Sequence, residues 1–194
     1  MRIGIDIDGV LTDLARFVSD YGIKFCYDNN IEYKIKDDSY YESEALGISL
    51  ENAEKFWNKY LPYYATEYAP REFAAEVIKK LKTNNEIYII TARNEEGLPK
   101  EVYGKMQSLV KEWLVKNQIE YDKLIFTVGS KLPYCLENGI DIMVEDSPRN
   151  LTDIGAKIPV LCFDNPYNRK IEGKNITRVY SWYDILHKIE TFCT

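Results

Sequence analysis

Arg2-Ile3-Gly4-Ile5-Asp6-Ile7-Asp8-Gly9-Val10-Leu11-Thr12-Asp13 is an apolar strand that runs straight into an acidic turn. The spacing predicts a strand over residues 2–7. For Asp6 and Asp8 to serve one ligand, the chain must leave the strand near Gly9, the residue that turns at least cost. A helical pattern follows, with Leu14, Phe17, Val18, Tyr21 and Phe25 on one face and Asn29-Asn30 at its end.

Further along, Ile87-Tyr88-Ile89-Ile90 is a continuous apolar run, as expected of a strand covered on both faces. Leu124–Phe126, Ile140–Val144, Val160–Phe163 and Thr177–Tyr180 read as further strands. Helical patterns separate them over 70–81, 99–116, 133–138 and 148–156, and Ser181-x-x-Asp184 caps a last helix. Such alternation predicts an α/β fold, a Rossmann-like parallel sheet with helices on both faces. Residues 15–68 do not fit the alternation. Ser49 N-caps a helix carrying Leu50, Ala53, Phe56, Trp57 and Tyr60, which Pro62 is expected to stop, but no buried strand is evident. The expected organisation is a core of residues 1–14 and 69–194, with 15–68 a small, mainly helical insertion over the sheet.

Ligands of open parallel sheets bind at the carboxyl ends of the strands. Those ends carry Asp6 and Asp8, then Thr91-Ala92-Arg93, then Thr127 and Lys131, then Glu145-Asp146. Four carboxylates in one crevice repel each other unless a cation offsets them. Mg²⁺ is the simplest choice, because it takes carboxylates, waters and phosphate oxygens. With Lys131 beside it, a phosphate dianion becomes a favourable ligand.

The remaining composition narrows the chemistry. The 194 residues are 45% hydrophobic and 29% charged, ordinary for a globular protein. Lys and Arg number 25 and Asp and Glu 31, a net charge of −6 that disfavours polymeric nucleic acid as a partner. No apolar run is long enough for a membrane span. An aspartate at position 6 is wrong for a signal peptide, so the expected location is cytoplasmic. Cys26, Cys135, Cys162 and Cys193 form no C-x-x-C pair and are read as reduced packing residues. His187 is the only histidine, which excludes a multi-histidine metal site within one chain. G-x-G-x-x-G, P-loop and G-x-S-x-G signatures are missing. Oligomeric state is left open, a homodimer included.

D-x-D-G-V-L-T-D at the first strand, T-A-R after the second, a later Lys131 and the Glu145-Asp146 pair, in that order, resemble the haloacid dehalogenase superfamily of phosphohydrolases. Glu145-Asp146-Ser147-Pro148-Arg149-Asn150 and Phe163-Asp164-Asn165-Pro166-Tyr167-Asn168-Arg169 resemble more narrowly its 5′-nucleotidase (deoxyribonucleotidase) branch, whose cap lies between the first and second motifs. The resemblance implies an Mg²⁺-dependent phosphomonoesterase for a small phosphate ester, in the first place a (deoxy)nucleoside 5′-monophosphate. Asp6 would be the nucleophile that forms an aspartyl-phosphate, and Asp8 the general acid and then base. Thr91, Ala92, Arg93 and Lys131 would contact the phosphate. Asp6, Asp8 (through its carbonyl) and Asp146 would ligate Mg²⁺, with Glu145 holding its waters or alternating as ligand. The chain reads Glu-Asp where many relatives read Asp-Asp, and Leu14 where they often carry an aromatic, so base stacking from position 14 is not expected. Tyr40, Tyr41, Phe56, Trp57, Tyr63 and Tyr64 are the cap aromatics that could face a base or sugar. The competing readings are a sugar-phosphate or other metabolite phosphatase or phosphotransferase of the same superfamily, a receiver-like signalling module, and an inactive scaffold.

Overall fold

The computed structural model describes residues 1–93 and 102–192. Six parallel strands form one sheet: β1 (Arg2–Ile5), β2 (Glu86–Thr91), β3 (Lys123–Phe126), β4 (Ile142–Glu145), β5 (Val160–Phe163) and β6 (Ile176–Val179). Their spatial order is β3-β2-β1-β4-β5-β6. The first half of the chain therefore winds one way from β1 and the second half the other. The crevice where the direction reverses lies at the carboxyl ends of β1, β2 and β4, the usual ligand position in this topology.

Alternate residues of the central strands feed two cores. Ile3, Ile5, Ile87, Ile89, Ile142 and Val144 belong to one apolar cluster, with Val110, Trp113 and Trp182 from covering helices. Tyr88, Ile90, Met143, Val160 and Cys162 belong to the other, under Leu151 and Ile154. Burial on both faces explains why these strands read as unbroken apolar runs.

Eight α-helices occur among the described residues: α1 (Leu14–Asp28), α2 (Glu42–Leu46), α3 (Leu50–Thr66), α4 (Ala74–Lys82), α5 (Met106–Lys116), α6 (Leu132–Glu137), α7 (Pro148–Gly155) and α8 (Trp182–Phe192). The first three lie between β1 and β2 and enclose an aromatic cluster of their own, including Phe17, Phe25, Phe56, Tyr60 and Tyr64. None of the described helices is long and apolar enough to cross a membrane. Cys26, Cys135 and Cys162 are free and buried, and Cys193 lies outside the described residues.

Several local expectations need correction. The first strand ends at Ile5, since the chain turns over Ile7–Leu11 with Gly9 at φ +84°. Pro62 does not end its helix: α3 continues to Thr66, because Tyr60, Tyr64 and Ala65 bury on its inner face and packing outweighs one missing hydrogen bond. The helix expected from Pro70 begins only at Ala74. Phe73 takes a left-handed φ of +64° and is 53% exposed rather than part of the apolar face. The expected helix over 99–116 begins at Met106, after Gly104 at φ +72°, and its residues 99–101 lie outside the described part.

Candidate active site

Asp6 follows β1 and is buried at the crevice. Its Oδ1 accepts from the Ile7 amide at 2.7 Å and pairs with Lys131 Nζ at 2.6 Å. Lys131 stands just before α6, yet its side chain is only 2% exposed, so it is an interior cation and not a surface lysine. Its Nζ also meets Glu145 Oε2 at 2.8 Å. Glu145, the last residue of β4, is fully engaged: Oε1 accepts from the Asp146 and Ser147 amides at 3.0 and 2.9 Å, and Oε2 accepts from Asn150 Nδ2 at 3.4 Å besides Lys131. Asp146 differs. Its Oδ2 takes the Tyr167 hydroxyl, while Oδ1 is buried without a hydrogen-bond partner.

Carboxylate oxygens of Asp6, Glu145 and Asp146 all lie within 4.8 Å of one another. One ammonium against three buried carboxylates leaves an excess of two negative charges. Burial, together with Glu145 and Asp8 and despite Lys131, pushes Asp6 up to about 8. Burial and the charges of Glu145 and Asp6 push Asp146 well above the usual carboxylate range. Burial also works on Glu145, but Lys131 and the two amides prevail and hold it low. The donor set is all oxygen, the charge deficit matches a divalent cation, and Asp146 Oδ1 is an orphaned ligand atom, so these residues fit a magnesium ion.

Asp8 stands apart from this cluster by its carboxylate. Arg93 reaches it from the end of β2, with NH2 2.8 Å from Oδ1 and Nε 3.2 Å from each oxygen. Tyr64 donates to Oδ1 at 2.9 Å and also meets Thr12 Oγ1 at 2.7 Å. Burial opposes ionisation of Asp8, but the guanidinium and the phenol outweigh it and hold the carboxyl below its usual range. Thr91 is fully buried, its Oγ1 accepting from the Arg93 amide at 3.3 Å and its carbonyl from Thr127. Ala92, between them, is exposed.

The cap aromatics divide. Phe56 is wholly buried in the cluster of α1–α3, Tyr41 is 64% exposed, and Tyr63 packs on Tyr21. Tyr64, read from sequence as a stacking ring, is instead a hydrogen-bond donor to Asp8. Tyr40 and Trp57 line a cavity of about 420 Å³ between α1, the segment 35–46 and the segment 164–169, with Leu14, Val18, Arg16 and Tyr167. Leu14 thus borders this space after all, while the rings come from elsewhere. Tyr167 belongs both to the cavity wall and to Asp146, so the cavity adjoins the carboxylates. Partial burial and the charges of Asp146, Asp6 and Glu145 raise the Tyr40 phenol. His187 is exposed on α8.

Tyr167, Thr12 and Arg71 are site residues to which the sequence assigned no individual role, and for Tyr64 the sequence suggested a ring contact and not the hydrogen bond to Asp8. Arg71 NH2 donates to Asn165 Oδ1 at 3.0 Å and to the Gly9 carbonyl at 3.4 Å, and NH1 meets Asp13 Oδ2 at 2.8 Å. Asp13 also caps α1, accepting from the Arg16 amide at 3.0 Å. Asp164, Asn165 and Asn168 organise the loop after β5: Asn168 accepts from the Asn165 amide and donates to the Phe163 carbonyl, and Asp164 pairs with Arg178.

Three comparisons bear on this geometry. A nucleotidase of Clostridium acetobutylicum is 33% identical over 193 residues, 95% of this chain and 91% of that protein. A haloacid dehalogenase-like hydrolase from Streptococcus pneumoniae superposes with a TM-score of 0.63 at 12% identity, covering 100% of this chain and 98% of that one. D,D-heptose 1,7-bisphosphate phosphatase from B. bronchiseptica, solved with magnesium and phosphate, superposes with a TM-score of 0.54 at 10% identity over 98% of both chains. At these identities the two solved structures speak for the fold. The sequence itself matches the family described as 5′ nucleotidase, deoxy (pyrimidine), cytosolic type C protein (NT5C) over residues 1–192. With a match that spans nearly the whole chain and a crevice of this construction, the protein belongs to that family, phosphatases built on the haloacid dehalogenase fold.

Proposed function

We propose that the protein is an Mg²⁺-dependent phosphomonoesterase that hydrolyses a (deoxy)nucleoside 5′-monophosphate through an aspartyl-phosphate. The observation that carries this reading is the buried Asp6 carboxylate, paired with Lys131 at 2.6 Å and clustered with Glu145 and Asp146. In this reading Asp6 Oδ1 is tied to Lys131 and the Ile7 amide, which leaves Oδ2 to attack phosphorus. The P–O bond to the leaving alcohol breaks as the new bond forms, and Asp8 delivers the proton to the alkoxide. Water then attacks the aspartyl-phosphate, Asp8 takes its proton, and inorganic phosphate leaves with Asp6 restored. Thr91, the backbone near Ala92 and Lys131 hold the phosphoryl oxygens, for a transfer that depends on positioning and charge neutralisation. Asp6, Asp146 and the Asp8 carbonyl would hold the magnesium, with Glu145 securing Lys131 and the adjoining loop. The ion supplies charge neutralisation to the phosphoryl oxygens when bound.

Asp8 is paired with Arg93, and the paired form resists protonation. Release of Arg93 to an arriving phosphate belongs to the same cycle, because a freed Asp8 can carry a proton. Residues 15–68 act as the cap, and the cavity walled by Tyr40, Trp57 and Leu14 takes the nucleoside. Buried free thiols suit a cytoplasmic setting.

The test is phosphate release from deoxy- and ribonucleoside monophosphates and from sugar phosphates, with and without EDTA. Turnover of nucleotides that EDTA and Asp6→Asn each abolish is expected. Turnover that survives either treatment rejects the mechanism, and preference for sugar phosphates rejects the substrate.

A further inference from the structure

Tyr167 lies on the turn Pro166–Asn168 after β5, in the 163–169 stretch that resembles the 5′-nucleotidase branch but to which no chemical role was attached above. That turn is rigidly tied. Asn168 Oδ1 accepts from the Asn165 amide at 3.2 Å and from Arg178 NH1 at 2.8 Å, and Asn168 Nδ2 donates to the Asp146 carbonyl at 2.9 Å. From this base the Tyr167 hydroxyl reaches Asp146 Oδ2. The Gly9 backbone closes on the same oxygen: a Cβ at position 9 would lie 1.9 Å from Asp146 Oδ2 and 2.7 Å from the Tyr167 hydroxyl. Asp146 is therefore gripped at its carbonyl, at one carboxylate oxygen and along the Gly9 backbone. Its other oxygen, Oδ1, is buried and unpartnered.

A monodentate carboxylate ligand needs its rotation fixed, or its two oxygens exchange places and the cation loses a defined partner. We propose that Tyr167 is the positioning residue of the cation site, fixing Oδ2 of Asp146 by donation so that Oδ1 is the ligand atom. The inference rests on the cation reading given above. The Tyr40 ring meets the Tyr167 ring edge-on at 5.2 Å, so the contact also joins the segment between α1 and α2 to the cation site.

The experiment is calorimetric titration of the full-length, substrate-free protein with Mg²⁺ and with Mn²⁺, for wild type, Asp146→Asn and Tyr167→Phe. Wild type should bind, Asp146→Asn should not, and Tyr167→Phe should bind about 10- to 100-fold more weakly, the usual effect of removing a partner of a metal ligand. In steady state the magnesium concentration for half-activation should rise by the same factor in Tyr167→Phe, with kcat at saturating magnesium largely kept. A merely structural role would lower kcat and leave the metal affinity alone. Replacing Tyr167 by p-aminophenylalanine returns a donor to the ring and should restore binding. It carries the test if the phenylalanine variant does not fold, since weak binding with a donor present overturns the proposal. Equal binding by wild type and Asp146→Asn removes the cation reading and the inference with it. Wild-type affinity in Tyr167→Phe, with Asp146→Asn silent, removes the inference alone.

Discussion

Among the described residues Lys131 is the single cation beside the three clustered carboxylates, and that imbalance governs the centre of the molecule. Burying charge is costly unless it is paired. Asp6, with an ordinary value of 3.8, is pushed up to about 8 in the fold. Between those values the folded protein binds a proton that the unfolded chain releases, so this group lowers stability as pH rises from about 4 to about 8. The melting temperature in EDTA should fall across that range. Magnesium, by favouring the ionised carboxylate, should flatten the fall, and Asp6→Asn should flatten it without metal. An unchanged slope in Asp6→Asn would place the titration elsewhere. Lys131→Met provides the converse test. It removes the only positive charge from a buried triad, and chemical denaturation in EDTA should show a loss of about 3–5 kcal/mol at pH 8. The loss should shrink at pH 5, where the carboxyls can take protons instead.

Among the elements, α6 and α5 end in the same way. At the end of α6, Gly139 is at φ +61°, with its amide to the Leu136 carbonyl at 3.1 Å and the Ile140 amide to Cys135 at 2.9 Å. At the end of α5 the same two bonds recur, Gln118 to Val115 at 3.0 Å and Ile119 to Leu114 at 2.9 Å, but the left-handed residue is Gln118 at φ +56°. A side chain there costs about 1 kcal/mol that glycine avoids. Gln118→Gly should stabilise the protein by about 1 kcal/mol in urea denaturation, less what the more flexible unfolded chain takes back. No gain would mean that the Gln118 side chain contributes to the native state. Elements of this kind are written locally and are legible in the sequence. Asn29-Asn30 announces the end of α1, Ser49 the start of α3, and the apolar runs at 87–90 and 160–163 their strands. The strand-end residues Asp6, Thr91, Lys131, Glu145 and Asp146 were legible too, because a parallel sheet sends them to one edge. What stayed hidden was settled by distant partners. Pro62 keeps its helix because Tyr64 and Ala65 bury below it, Phe73 leaves the apolar face because the chain at Arg71 is already bound elsewhere, and Tyr64 and Tyr167 reach Asp8 and Asp146 across separations that no periodicity encodes.

On the scale of the whole molecule, the chain passes between the helices α1–α3 and the sheet twice, at Thr12–Asp13 and again near Arg71. Arg71 fastens the two passages together. Its amide donates to the Leu11 carbonyl at 2.6 Å, its guanidinium binds Asp13, the Gly9 carbonyl and Asn165, and its flat face lies 4.5 Å from the centre of the Phe163 ring. Only 17% of the side chain is exposed, so these contacts are weakly screened. A planar fork is needed to reach two acceptors and a carboxylate while stacking on a ring, and a lysine ammonium cannot substitute for it. Arg71→Ala should cost about 2–4 kcal/mol, in keeping with the loss of several charge-assisted bonds and the stranding of Asp13. Arg71→Lys should recover little of it. The position of the loss matters more than its size. Phe17, Phe56 and Tyr60 form a cluster separate from the two cores of the sheet, so loosening the fastening should raise amide exchange in α1 and α3 while β1, β2 and β4 keep their protection. Uniform loss of protection would show that the helices and the sheet unfold as one unit, and that Arg71 stabilises the whole instead of joining two parts.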